Sequence, residues 1–325
     1  MTTKAEASAA HAAQAAQADA AAIRHSVLLA LARDRTPGWS FTGHFQAIRW
    51  PRIGTDSMTV TMPVGPQCID QHGEIELAAL LVLFDAALAS PTRIALPDGT
   101  RLATTHINVQ FTGVPATGEL RVETGFEGET QAGALRQLLS HGTLTSNGRN
   151  VMKGNGAFVQ LPPLGGAIAM APLPWQSKVI HDPPALTLDQ LDARERAILD
   201  ACEAALSEPA APHSTFLKQF WGIGPIATAD GAECRLSVGP QQANRVGHVQ
   251  GGISMGIAAE TARLAAPNHP VLANLSAWFT GPGRGGNLIA RSRVVHAGRS
   301  LAVVRTEITA EDGSRVLEAT SAHAA

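Results

Sequence analysis

The chain has 325 residues, enough for two domains of ordinary size, each with its own core. Its 25 Lys+Arg balance 27 Asp+Glu, which excludes the basic field that nucleic acid selects. The three cysteines (Cys68, Cys202, Cys234) are odd in number, far apart and without metal-ligand spacing, which argues against a disulfide framework or a structural zinc site. No apolar run of membrane length and no signal-peptide core near Met1 stands out, so a cytoplasmic protein with no membrane partner is expected.

Residues 1–22 are mostly alanine and read as a frayed helix or a disordered tail. Apolar spacing predicts a helix near 17–35, strands near 41–50 and 57–63, and a second, strongly apolar helix over 75–88. Four alternating stretches follow at 102–111, 118–127, 134–145 and 149–160, separated by glycine-containing turns. A proline- and glycine-rich linker covers 162–186. The same order then repeats: a helix near 188–206, strands near 216–226 and 232–238, a glycine-led apolar helix over 249–262, and strands at 271–279, 287–296, 300–309 and 315–323.

The repeat is visible in the residues themselves. Val64-Gly65-Pro66-Gln67 recurs as Val238-Gly239-Pro240-Gln241, a shift of 238 − 64 = 174 that also carries Gly73 onto Gly247. Phe111-Thr112-Gly113 recurs as Phe279-Thr280-Gly281, shifted by 279 − 111 = 168, the difference falling in the loop around Pro97-Asp98-Gly99. A period this long means a duplicated domain and not a solenoid unit. One long helix followed by an antiparallel meander is an α+β arrangement. The expected division is a tail 1–22, a first domain 23–161, the linker 162–186 and a second domain 187–325.

The stretch Gly247-His248-Val249-Gln250-Gly251-Gly252-Ile253-Ser254 is the most informative. A glycine pair at a helix start lets backbone approach a ligand and offers free N–H groups at the positive end of a helix dipole, which suits a developing oxyanion. The first copy lacks those glycines but carries Asp85 inside Leu80-Leu81-Val82-Leu83-Phe84-Asp85-Ala86-Ala87-Leu88, where an unpaired carboxylate is costly unless kept for a task.

On these residues the chain resembles the hotdog-fold acyl-CoA thioesterases similar to the phenylacetate-pathway enzyme (PaaI-like), in a tandem, double-hotdog form. Members of that family often read N-x(2)-G-x-x-H-G-G-x(6)-D; here the second copy has Asn244, Gly247, Gln250, Gly251 and Gly252, and the first has Asp70, Gly73, Glu76, Leu77, Ala78 and Asp85. The resemblance implies two antiparallel sheets, each wrapped around a long helix, packed as a pseudo-dimer with sites between the copies. One site would combine Asp85 as base or nucleophile, Gly251 as oxyanion donor, Gln250 in the usual histidine position as a second donor, and Asn244 and Thr104 orienting water or thioester. Gly252, Arg299 (on a turn where such enzymes place a cation) and Glu260 would line the substrate or its CoA, Glu260 being alternatively an ion-pair member or a rival base. Lys153, Arg136 and Arg149 are weaker cation candidates. The other site, Asp70, Glu76 and Leu77 against Ala259 and Leu272, would be a relic. The substrate would be an acyl-CoA, with no cofactor beyond its coenzyme A, and a homodimer of the two-domain chain is suggested by the family alone.

Three other readings stand beside this one. Gly252-Ile253-Ser254-Met255-Gly256 matches a serine nucleophile elbow, with Asp312 and His323 in triad order, but the polar stretch before it is no buried strand. A dehydratase or hydratase would use a histidine (His72, His106 or His248) with the carboxylate. A non-catalytic acyl-CoA binding protein would keep the pocket without the chemistry.

Overall fold

The protein is described from a computed structural model covering residues 4–70, 72–162, 170–176, 182–208 and 214–325, excluding the side chains of 4–13 and 132. The expected linker falls partly outside these residues, at 163–169 and 177–181. A long helix α1 (Lys4–Asp34) and a short α2 (Phe41–Phe45) lead into β1 (Arg49–Ile53), β2 (Ser57–Met62), the apolar helix α3 (Leu77–Ile94), and β3 (Arg101–Phe111), β4 (Leu120–Ala132), β5 (Leu135–Ser146) and β6 (Arg149–Leu161). The order then repeats with α4 (Ala193–Ser207), α5 (Phe216–Trp221), β7 (Ile226–Thr228), β8 (Gly231–Ser237), α6 (Gly251–Ala265), β9 (Val271–Phe279), β10 (Asn287–Ala297), β11 (Leu301–Ala310) and β12 (Arg315–Ala324).

All twelve strands form one antiparallel sheet in the order β1-β2-β4-β5-β6-β3-β9-β12-β11-β10-β8-β7. Read from either edge, each strand meets its own repeat counterpart. At the centre β3 pairs β9 with Asn108 opposite Ser276, and 276 − 108 = 168 is the repeat shift, so the approximate two-fold runs through that pair. The hydrophobic core is correspondingly shared, one cluster running from Phe84 and Leu88 of α3 to Ile253 and Ile257 of α6.

The two apolar helices touch backbone to backbone. A Cβ on Gly252 would lie 2.4 Å from the Val82 backbone, and one on Gly256 would lie 2.6 Å from the Ala78 Cβ. As the number rises on α6 it falls on α3, so the helices run antiparallel. The two contacts are also the same contact seen from each side, since 252 − 78 = 174 and 256 − 82 = 174. Small residues let helices approach this closely, and the missing side chains are what the contact is made of. Gly252, expected to line the substrate, therefore serves a helix–helix approach instead, together with Gly256. α3 is long and apolar enough by composition to cross a membrane, contrary to the sequence expectation, but as the central helix it is 78% buried inside the protein.

Two expected strands begin as short helices. Ser40 and Thr215 cap α2 and α5, their side chains accepting from the N–H groups of Gly43 and Lys218. Aromatic residues of these stretches pack on one another, with Phe45 of α2 and Phe220 of α5 having centroids 5.3 Å apart and Phe216 and Phe220 within α5 also 5.3 Å apart. The leading helix also starts well before 17, at Lys4. It is clamped to α4 by ion pairs Arg24–Glu203, Arg35–Glu195 and Arg194–Asp34.

Gly252→Ala is expected to destabilise the fold by about 1–3 kcal/mol, the usual effect of forcing atoms into a packed contact. Gly224→Ala, where an added Cβ meets nothing within 4 Å, should be close to neutral. Paired urea unfolding curves check the difference.

Candidate functional site

The loop before α6 is built from its own polar groups. Asn244 Oδ1 accepts from the N–H groups of Val246 (3.0 Å) and His248 (3.1 Å), and Gly247 closes the turn at φ +80°. The first copy repeats it: Asp70 Oδ1 accepts from His72 (2.7 Å) and Glu74 (3.0 Å), with Gly73 at φ +76°. Only glycine takes that backbone cheaply. The Asn244 carbonyl oxygen is thus committed to shaping the loop, and the residue lines the cleft from there.

From this loop Gln250 caps α6, its Oε1 accepting from the Ile253 N–H at 3.1 Å. Because α3 runs antiparallel against α6 with Val82 at Gly252, Asp85 lies one turn further along, in front of the α6 N-terminus. Gln250 Nε2 donates to Asp85 Oδ2 at 2.7 Å and Thr104 Oγ1 donates to Oδ1 at 3.1 Å. Gly251 sits so close that a Cβ there would be 2.9 Å from Asp85 Oδ2. A β-bulge in β3 between Thr104 and His106 turns Thr104 and Thr105 toward the cleft.

Asp85 is 8% exposed. Burial pushes its carboxyl up to about 6, against the opposing pull of the Thr104 hydroxyl, the Gly252 N–H, the Arg93 charge and the Gln250 amide. A carboxylate so placed is ionised near neutrality yet basic enough to take a proton. The cleft around it has a volume of about 630 Å³, with an apolar wall of Trp39, Ile48, Val82, Ala86, Phe158 and Phe279. Its charged lining is one-sided: among the described residues Asp85 is the only carboxylate, beside Arg93, Arg101, Arg245 and Arg284.

Several sequence-based assignments change. Gln250 was expected to donate to the substrate oxyanion, but its amide is spent on Asp85, because capping α6 with Oε1 leaves Nε2 facing that carboxylate. Arg299 does not line the cleft; it sits on the β10–β11 turn, at the far end of β10 from Gly283 and Arg284. Glu260 is in a different cleft, of about 520 Å³, lined also by Asp70, Glu76, Leu77, Lys218, Arg263 and Leu272. One position past Ala259 turns it about 100° round the helix, where it pairs with Arg263 at 2.8 Å and Lys218 at 3.4 Å. Lys218 also reaches Glu76, at 3.6 Å. Phe84 packs on Gly142 and Gly154 in the core, and the Trp278 ring lies tilted against His106, centroids 4.8 Å apart.

The serine triad is not assembled. Ser254 Oγ faces the Gln250 carbonyl, His323 is buried against Ser321, and Asp312 bonds Ser314 in an exposed turn. His106 is held by Ser276 Oγ at 2.8 Å; His248 does line the Asp85 cleft. Arg93, Arg101, Arg245 and Arg284 went unnoticed in the sequence because they come from four separate segments with no common motif.

Residues 240–324, about a quarter of the chain, match the family model of the acyl-CoA thioesterase N-terminal domain. Among solved structures the chain is similar to a putative oleoyl thioesterase from Lactobacillus plantarum, at 12% identity and TM-score 0.52 over 82% of this chain and 95% of that one. It is similar to the 12:0-ACP thioesterase from Umbellularia californica at 13% and 0.51, over 83% and 94%. A protein of unknown function with the hot dog fold from Alicyclobacillus acidocaldarius gives 10% and 0.52, over 85% and 96%. At such identities the likeness is one of fold, and the fold is the hotdog. No curated protein matches the chain in sequence.

A carboxyl raised from 3.8 to about 6 penalises folding at neutral pH, because the ionised form is worse off buried than in the unfolded chain. The penalty is full above pH 6 and gone below the unfolded value. Asp85→Asn should therefore raise stability at pH 8 by up to about 3 kcal/mol, at 1.36 kcal/mol per unit, and the gain should vanish by pH 3.5 or so. Denaturant titrations at the two pH values read it.

Proposed function

We propose that the chain is a tandem hotdog hydrolase of the phenylacetate-pathway type, the two halves forming a pseudo-dimer of domains 23–161 and 187–325, and that it hydrolyses an acyl-CoA thioester in the Asp85 cleft. The observation that carries the reading is the pairing of a buried carboxylate from one half with the helix start of the other, Gln250 to Asp85 at 2.7 Å.

In this reading the thioester carbonyl oxygen lies at the Gly251 N–H, which as the first group of α6 has no intrahelical acceptor. Asp85 takes a proton from a water as that water attacks the carbonyl carbon, and the α6 N-terminus stabilises the oxyanion. The intermediate collapses with C–S cleavage, and the Asp85 proton goes to the departing thiolate. Thr104 and Gln250 hold the carboxylate on both oxygens, which favours a water-mediated step over a swing onto the carbonyl. The exposed Arg284 and the neighbouring Arg101, which both bear on His248, take the place assigned to Arg299 as anchors for the CoA phosphates. No substrate cofactor other than coenzyme A, a cytoplasmic location and a homodimer complete the proposal.

The hydratase reading keeps one supporting observation, His248 on the same cleft as Asp85. Addition of water across an enoyl-CoA double bond, followed in the ultraviolet, is its assay.

Free thiol release from acyl-CoAs is expected for the wild type, and Asp85→Asn should lower kcat by roughly 10²–10⁴-fold, the span of general acid–base contributions. Ser254→Ala should retain turnover; loss there with survival in Asp85→Asn sinks the carboxylate mechanism. The acid limb of kcat/KM should fall through an apparent value of about 6. Thr104→Val removes a bond to the ionised form and should move that limb to higher pH.

A further inference from the structure

Four arginines line the Asp85 cleft, and they fall into two kinds. Arg284 is exposed, as phosphates need, and Arg101 is tied to the Pro162 carbonyl at 2.8 Å. Arg93 and Arg245 are part-buried and come from opposite halves, Arg93 from the last turn of α3 and Arg245 from the loop leading to α6. Their only hydrogen bonds among the described residues are to backbone carbonyls, Arg93 Nη1 to Thr100 at 3.4 Å and Arg245 Nη2 to Ala171. Among the described residues neither has a carboxylate within ion-pair distance.

Two guanidiniums lining one cleft with no carboxylate at contact among the described residues are costly, since each opposes the other's charge and both lose solvent. Burial and the Arg245 charge push Arg93 down to about 10 against the opposing pull of the Asp85 charge, and burial lowers Arg245. Such an arrangement is kept where an anion completes it. The repeat adds an independent observation. At the 174 shift, the counterpart of Arg93 is Pro267 (93 + 174 = 267) and that of Arg245 is Gln71 (245 − 174 = 71). The pair is therefore not a remnant of duplication; it stands only at the cleft that has Asp85.

We infer that Arg93 and Arg245 form a carboxylate subsite, so that the acyl group this cleft takes ends in an anion: a dicarboxylic acyl thioester. This rests on the thioester reading above. The CoA phosphates are the other source of an anion, and geometry disfavours them. Arg93 lies about 12 Å along α3 from Asp85 by helix rise, and helical side chains lean back toward the N-terminus. Its guanidinium is thus near the reacting carbonyl, whereas the whole pantetheine arm separates that carbonyl from the pyrophosphate. The pair also answers a problem Asp85 creates, because a carboxylate approaching that residue is repelled, and two cations more than offset one anion. A guanidinium pair holds a carboxylate by paired charged hydrogen bonds.

The test compares succinyl-CoA and glutaryl-CoA with the uncharged, similarly shaped isocaproyl-CoA. Wild type should favour the charged substrates in kcat/KM, and Arg93→Gln and Arg245→Gln should each shrink the charged-to-neutral ratio by roughly ten- to a hundredfold, as loss of a charged hydrogen bond does. Arg93→Lys should restore part of that ratio. Calorimetry with carboxylate-ended and isobutyl-ended thioethers of pantetheine, which lack phosphates and cannot be hydrolysed, reads the subsite without turnover. Charge-selective thioether binding with no hydrolysis of any thioester keeps the subsite and removes the hydrolase reading. Hydrolysis with no preference for charged acyl groups overturns the subsite alone. Substitutions that weaken every CoA ester equally, but no pantetheine thioether, would place the guanidiniums on phosphate and overturn it as well.

Discussion

The approach of α3 and α6 governs everything near the cleft. At Gly252 against Val82 and Gly256 against Ala78, the absent side chains let the two backbones close to a distance that an ordinary leucine pair forbids. Because the helices run antiparallel, that contact sets the longitudinal register as well as the separation. Register is what places the carboxylate of one helix at the dipole-positive end of the other, and no side-chain adjustment could replace a helix shifted by a turn, about 5.4 Å. The fused sheet reinforces it: Asn108 opposite Ser276 fixes how the two halves meet, so the helices above them have little freedom to slide.

Burial and hydrogen bonding then oppose each other at Asp85. Desolvation alone would drive the carboxyl toward its neutral form, while Thr104, Gln250 and the Gly252 N–H favour the charged one. The outcome, about 6, keeps the group charged at neutral pH without making it inert. Gln250 is the economical part of this balance. A histidine there would bring a second titrating group against the carboxylate; an amide caps α6 with one atom and steadies Asp85 with the other, and its state does not change with pH.

Much of this was legible in the residues because duplication writes a structure twice. The 174 shift exposed the matched turns at Asp70 and Asn244 and the apolar helices that follow them, and the alternation of β9 matched its structure at both ends, Val271 to Phe279. Local patterns misled where tertiary contacts decided the outcome. Phe41 and Phe216 open stretches expected as strands from their apolar spacing, yet the capping groups Ser40 and Thr215 stand one position earlier and the aromatics of the two short helices pack on each other. Glu260 was one residue out of register with Asp85's place in the repeat, and on a helix one residue is a different face. Arg93 and Arg245 were beyond sequence reasoning, being 152 residues apart (245 − 93 = 152) and absent from the other copy.

The two clefts differ in how their charges are settled. Under the proposed hydrolysis each would need a helix start from one half and a carboxylate from the other. Where the first half supplies the helix start, Glu76 stands at the cap without making a side-chain capping bond, and Ala259 stands at the repeat counterpart of Asp85. Lys218 joins Glu76 to Glu260 there, and the site is held by ion pairs that need no ligand, one Glu76 oxygen excepted. In the opposite cleft the balance is reversed: among the described residues the carboxylate is hydrogen-bonded but has no cation at contact, and the arginines of the wall have no carboxylate at contact. A site whose charges cancel internally is finished when the chain folds. One whose charges are held apart is finished only when something charged or polar arrives, and that asymmetry separates the cleft with Asp85 from its sibling.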